Sequence, residues 1–196
     1  MAYLTVLLAE DDVLTRLDIK EFLISEGHIV CGETGNGLEA LEIAKITSPN
    51  IALLDIKMPG LDGIEVSSEL KGMGIPSVIM TGYYQQGFIN RAEKVGVYGY
   101  LNKPIREKDI IPALKIAYSR WHEMHELSKE IESYKRKLEN QKILDLAKSI
   151  FAKDNDVSEF EAHKMILNVS MNQRKPLIQL CEEIIKKNIA KQKSTW

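Results

Sequence analysis

Five short apolar runs, each followed by a stretch of helical periodicity, fill the first 105 residues, and that alternation leaves few ways to fold. The runs are Leu4 to Ala9, His28 to Cys31, Ile51 to Leu54, Ser77 to Met80 and Gly99 to Leu101. The intervening stretches have helical spacing near residues 14–26, 37–47, 63–72 and 85–94, and again from 107 onward. Repeated strand–helix units of this length predict a parallel α/β sheet covered by helices on both faces. Ligands of such sheets bind outside the carboxyl ends of the strands, where the strand order reverses. Glu10, Asp11, Asp55, Thr81 and Lys103 all fall at that edge.

Three carboxylates and an amine gathered there suit one chemistry. Mg²⁺ is a hard cation held by a few carboxylates, phosphate oxygens and water, and Glu10 with Asp11 would form its acidic cup. Asp55 is the candidate nucleophile, because an aspartate can accept a phosphoryl group as an acyl phosphate. Lys103 would neutralise charge on the transferred oxygens, and the Thr81 hydroxyl would bond to the new phosphate. Taken singly these residues have blander uses. Asp12 and Asp62 read as helix caps and Lys103 as a solvated lysine; it is their recurrence at successive strand tips that makes the site.

No charged leader precedes an apolar segment, and no apolar run approaches membrane-spanning length, so a cytoplasmic protein with no membrane partner is expected. Cys31 and Cys181 each lie in an apolar pattern and read as reduced core thiols. The near-neutral net charge of −2 conceals a split. Residues 1–105 carry 8 Lys/Arg against 14 Asp/Glu, whereas residues 106–196 carry 18 against 14. An acidic first half suits cation binding, and a basic second half is compatible with a nucleic-acid partner.

From about Asp109 to Lys153 the chain contains no glycine, and Pro112 is its one proline. Leu114, Ala117, Trp121 and Met124 step by three and four, as do Leu127, Ile131, Tyr134 and Leu138, which predicts a dimerising coiled-coil seam. The repeated three-residue step between Met124 and Leu127 reads as a stammer. Three further helical patterns follow. Ile143, Ala147, Ile150 and Phe151 share a face of the first. Ser158 and Glu161 form a capping box that opens the second, with Ala162, Met165, Ile166 and Val169 expected inward. Pro176 suits the start of the third, whose stripe is Leu177, Leu180, Cys181, Ile184 and Ile185.

The motifs AEDD (Ala9 to Asp12), LLDIKMPGLDG (Leu53 to Gly63), MTG (Met80 to Gly82) and GYLNKP (Gly99 to Pro104) occur in an order that resembles a two-component receiver domain over residues 1–120. The resemblance implies a flavodoxin-like, five-stranded parallel sheet of order 2-1-3-4-5. It implies phosphorylation of Asp55 by a sensor histidine kinase, with Mg²⁺ held by Glu10, Asp11, Asp55 and the Lys57 backbone carbonyl. It also implies a cis peptide at Lys103–Pro104 and a switch in which Thr81 and Tyr100 reorient.

The last section has no metal-ligand spacing, phosphate loop or nucleophile–base pair, so an enzymatic output is not expected; the receiver accepts a phosphoryl group and at most loses it slowly. The basic residues Lys142, Lys148, Lys153, Lys164, Arg174 and Lys175 lie off the apolar stripes. Residues 143–185 are similar to the ANTAR domain, an RNA-binding module of bacterial antiterminators, through Ala147–Lys148, Lys153, Val157–Ser158, Glu161–Ala162, Ser170–Met171–Asn172 and Arg174. The implied organisation is a receiver, a coiled-coil helix over 109–141 continuous with the last receiver helix, and a small three-helix ANTAR bundle over 142–196. Antiterminators of ethanolamine-utilisation and nitrogen-assimilation operons share this order. The similarity implies that tandem RNA stem-loops in mRNA leaders are bound by a homodimer formed on phosphorylation, through Lys148, Lys153, Lys164, Asn172, Arg174 and Lys175. Ser149 and Leu167 depart from the family pattern. A DNA-binding or a protein-interaction output is the competing expectation, although no short helix-turn-helix pair with a polar recognition helix is evident.

Overall fold

The computed structural model describes residues 3–82 and 97–193. The chain divides into two compact units, Met1–His125 and Glu126–Trp196. No helix among the described residues is long and apolar enough to cross a membrane.

In the first unit, β1 (Thr5–Ala9), β2 (Ile29–Thr34), β3 (Ile51–Asp55), β4 (Ser77–Thr81) and β5 (Gly99–Asn102) form one parallel sheet of order β2-β1-β3-β4-β5. The reversal between β1 and β3 matches the expectation from the βα series. The central strand β3 is buried throughout, as the continuous apolar run of a two-sided sheet requires. At the edge, β2 runs three residues beyond the predicted Cys31. Gly32, Glu33 and Thr34 pair with Leu7, Leu8 and Ala9 although their side chains carry no strand signal. The register shifts at Cys31, so that two residues of β2 oppose one step of β1.

Successive strand residues point to opposite faces and so build two cores. Val6, Leu8, Leu53, Val78, Met80 and Leu101 pack with Ile19 and Leu23 of α1 (Val13–Ser25) and with Ile110, Leu114 and Ala117 of the long helix α4 (Glu107–Asn155). Leu7, Ala9, Ala52, Leu54 and Ile79 pack on the other face with Ala40, Leu41 and Ala44 of α2 (Gly37–Thr47) and Val66 and Leu70 of α3 (Gly63–Gly72). Side-chain caps start each of these shorter helices. Asp12 accepts from the Thr15 amide at 2.8 Å, Asn36 from Leu38 at 2.9 Å, and Asp62 forms a capping box with Glu65. The helical pattern expected at 85–94 lies outside the described residues.

One part of the coiled-coil expectation is corrected. Leu114 and Ala117 are fully buried in the core of the first unit, so they do not belong to an intermolecular seam. The helical period of three and four is shared by a core-facing stripe and a coil, and sequence spacing cannot separate them. Beyond that core the stripe is exposed: Met124, Leu127, Ile131, Tyr134 and Leu138 are all half or more open to solvent.

In the second unit, the end of α4 packs with α5 (Glu159–Gln173) and α6 (Leu177–Lys193) around Ala147, Ile166, Leu180 and Cys181. Ile143, Phe151, Val169, Leu177, Ile184 and Ile185 close this small core, much as the stripes predict. Met165, expected inward, is 42% exposed. Ser170 is buried instead, and its hydroxyl donates to the Lys175 carbonyl at 2.6 Å and ties the α5–α6 turn. Ser158 caps α5 in the predicted box with Glu161, whose carboxyl is held below the usual glutamate range by hydrogen bonds from Ser158.

Candidate functional site

The carboxyl edge of the sheet assembles the expected cluster. Glu10 and Asp11 follow β1, Asp55 ends β3, Thr81 ends β4 and Lys103 follows β5. One carboxylate oxygen from each of Glu10, Asp11 and Asp55 lies within 4.8 Å of the others. Glu10 and Asp55 are buried and Asp11 is exposed, so the cup opens to solvent on the Asp11 side. The Lys103 ammonium reaches into it, 2.9 Å from Asp55 Oδ1 and 2.8 Å from Glu10 Oε1. The Lys103 amide donates to the Thr81 carbonyl at 2.7 Å, which fixes its backbone beside β4, and the Lys103–Pro104 peptide is cis.

Asp55 is fixed from two further sides. Its Oδ2 accepts from the Lys57 amide at 3.2 Å. Gly63 packs so closely beneath the strand tip that a Cβ there would lie 2.0 Å from the Asp55 carbonyl oxygen. Any other residue at 63 would displace the Asp55 backbone. Tyr100, the expected switch aromatic, lies on β5 and is 42% exposed.

The electrostatics call for a cation. Three carboxylates face one ammonium, which leaves a surplus of negative charge suited to a divalent ion. Burial, reinforced by Asp55 and opposed by the Lys103 hydrogen bond, holds the Glu10 carboxyl above its ordinary range. Lys103 lies 2.7 Å from Glu10 Oε2 but is aligned for donation to Oε1, so Oε2 is a buried oxygen without an aligned donor. For Lys103, burial alone would favour the neutral amine. Its hydrogen bonds to Glu10 and Asp55 outweigh that and raise its pKa, so it stays charged. The donor set and the orphaned oxygen fit Mg²⁺, with Glu10, Asp11 and Asp55 as the side chains that could hold it.

Arg16, not singled out from sequence, also serves the site. Its guanidinium donates to the Glu10 carbonyl and anchors the β1–α1 turn. It stands one helical turn after the Asp12 cap, and that spacing was the only available signal.

The basic residues of the second unit sort into two groups. Lys148 is only 18% exposed and pairs with Asp145 at 2.6 Å, which pulls the Asp145 carboxyl below its usual range. Lys175 is paired with Glu183. Lys153, Lys164 and Arg174 are exposed and have no carboxylate partner among the described residues. Asn172 is exposed near the end of α5, and Arg174 caps that helix in the left-handed conformation at φ 51°.

Comparisons with known proteins agree with both halves. Residues 6–115 match the family model of the response regulator receiver domain, and residues 132–185 match that of the ANTAR domain. The transcriptional regulatory protein PdtaR of Mycobacterium tuberculosis is 35% identical over 92% of this chain and 88% of its own length. The transcriptional regulatory protein DesR of Bacillus subtilis is 31% identical, but over only 57% of each chain. Among solved structures, the signal receiver domain of a modulated diguanylate cyclase from Desulfovibrio desulfuricans is 31% identical with a TM-score of 0.58, covering 62% of this chain and 98% of that one. A DNA-binding response regulator of the LuxR family from Staphylococcus aureus gives 26% and 0.55, covering 59% and 98%. The similarity to PdtaR runs through receiver and output together, and the chain accordingly belongs to the two-component response regulators that join a receiver domain to an ANTAR domain, a family that is not enzymatic.

Proposed function

We propose that the chain is a phosphorylation-gated RNA-binding regulator that prevents transcription termination. The observation that carries this reading is the convergence of Glu10, Asp11, Asp55 and Lys103 at one sheet edge, in a chain whose other unit is an ANTAR domain. In the proposed cycle a sensor histidine kinase presents a phosphohistidine to Asp55. The nitrogen–phosphorus bond breaks with its electron pair left on the ring nitrogen, an Asp55 oxygen–phosphorus bond forms, and the phosphohistidine ring, protonated at its other nitrogen, leaves as neutral imidazole. Mg²⁺, when bound by Glu10, Asp11, Asp55 and the Lys57 carbonyl, neutralises charge on the transferred oxygens. Lys103 supplies a second positive charge on the same side, and Thr81 offers its hydroxyl to the phosphate. Thr81 and Tyr100 then reorient and bias the receiver toward one of two conformations.

That conformation favours a homodimer, along the receiver face around β5 or along the exposed stripe Met124, Leu127, Ile131, Tyr134 and Leu138. A dimer presents two ANTAR domains to two tandem stem-loops, and effective concentration then raises avidity without new contacts. Loops of RNA offer unstacked bases and phosphates, which suit Lys148, Lys153, Lys164, Asn172, Arg174 and Lys175. Of these, Lys148 and Lys175 exchange their ion pairs with Asp145 and Glu183 for phosphate contacts.

The test is sedimentation of wild type and Asp55→Ala with a small phosphodonor and Mg²⁺. Wild type should shift toward dimer and Asp55→Ala should not, while both keep the same circular dichroism. A variant that still dimerises on treatment would remove Asp55 from the switch.

A further inference from the structure

The outer face of α5 is apolar where a solvated helix would be polar. Phe160, Lys164, Leu167 and Met171 stand at intervals of four, three and four, which places them on one side of the helix. Phe160 is 70% exposed, Met171 72% and Leu167 36%. Ala162, Ile166 and Ser170 on the opposite side face the core, so packing within this unit does not account for the outer stripe. The Lys164 ammonium lies 4.3 Å from the centre of the Phe160 ring, a cation–π arrangement that covers one part of the ring and leaves the rest to solvent.

We infer that Phe160, with Lys164 over its ring, is a stacking platform for an unpaired base of an RNA loop, flanked by Leu167 and Met171; this rests on RNA recognition by the ANTAR domain. Unpaired bases stack on aromatic rings, and the adjoining phosphate needs a cation. This patch supplies both within one helical turn. A protein partner's apolar groove would have to desolvate the Lys164 ammonium, which is costly without a counter-charge, whereas a phosphate pairs with it. Glu161, three residues before Lys164, is turned back onto Ser158 by the capping box, and Lys164 has no carboxylate partner among the described residues. Glu159 stands on the helix's first turn and is exposed.

The experiment uses the full chain, treated with phosphodonor and Mg²⁺, and a pool of tandem stem-loop RNAs with randomised loops, read by fluorescence anisotropy. Phe160→Ala should weaken binding on the order of tenfold. Phe160→Trp, which keeps a ring, should bind as wild type does. Lys164→Ala should weaken binding and reduce the slope of affinity against salt by about one. Equal binding by wild type and Phe160→Ala overturns the platform and leaves RNA recognition standing. Absence of binding by wild type at low salt overturns both, and would point to a protein partner on this face. Circular dichroism of Phe160→Ala, expected to match wild type because the ring is outside the core, separates lost stacking from lost folding.

Discussion

Arg174 occupies a backbone conformation that ordinarily selects glycine. At φ 51° it follows the last turn of α5, and the next amide, that of Lys175, donates to the Ser170 carbonyl at 3.0 Å in a Schellman-type closure. A side chain there costs roughly 1 kcal/mol relative to glycine. The price is understandable if the guanidinium serves the RNA. Arg174→Gly should therefore stabilise the second unit slightly, by roughly 0.5–1 kcal/mol, while weakening RNA binding. Thermal melts and anisotropy check the two halves, and a variant that gains stability with no loss of binding would remove Arg174 from the interface. Asp156 ends α4 in the same conformation, at φ 53°, with the Val157 amide donating to Ala152 at 3.1 Å. At this scale the acids, the lysine and the capping pairs were legible in the sequence, because strand tips and cap spacings are local features. Arg16 was not, since its partner is a backbone carbonyl and leaves no mark on residue type. Nor were the ion pairs of Lys148 and Lys175, of which the second joins the α5–α6 turn to Glu183 on α6.

The long helix α4 shows what periodicity can and cannot say about an element. Its extent was legible: a stretch without glycine from about 109 to 153 became one helix, Glu107–Asn155. Its seam was only partly so, because Leu114 and Ala117 continue the same spacing while serving the receiver core. The two parts of the stripe should respond differently to truncation. Leu114→Ala removes a side chain with no exposure and should cost the first unit roughly 2–5 kcal/mol. Leu127→Ala removes one that is 58% exposed, and should leave the monomer's melting unchanged while weakening the phosphorylated dimer. Urea titrations and sedimentation distinguish the cases. An equal loss of monomer stability in both would mean that the exposed stripe is already covered within one chain. The edge strand β2 makes the same point for sheets. Its last three residues pair through backbone groups alone, so no apolar alternation announced them.

Across the whole molecule, the division of charge follows the division of labour. The acidic first half holds the carboxylate cup of Glu10, Asp11 and Asp55, and the basic second half carries Lys153, Lys164 and Arg174 without carboxylate partners among the described residues. The parallel sheet and its order were legible, because five βα units at this spacing admit few topologies and the receiver motifs narrow them to one. The small output core was legible as three stripes, apart from Met165, which is exposed, and Ser170, which is buried because its hydroxyl is satisfied by the Lys175 carbonyl. Coupling between the halves is the central claim, and it is a claim about populations rather than about any single contact. The most direct measurement is fluorescence anisotropy of a labelled tandem stem-loop RNA with wild type and Asp55→Ala, each with and without phosphodonor and Mg²⁺. Binding by wild type should tighten on treatment, while Asp55→Ala should bind equally weakly in both conditions. Equal affinity of treated and untreated wild type would contradict the gate, and failure of either protein to bind would contradict the RNA-binding output itself.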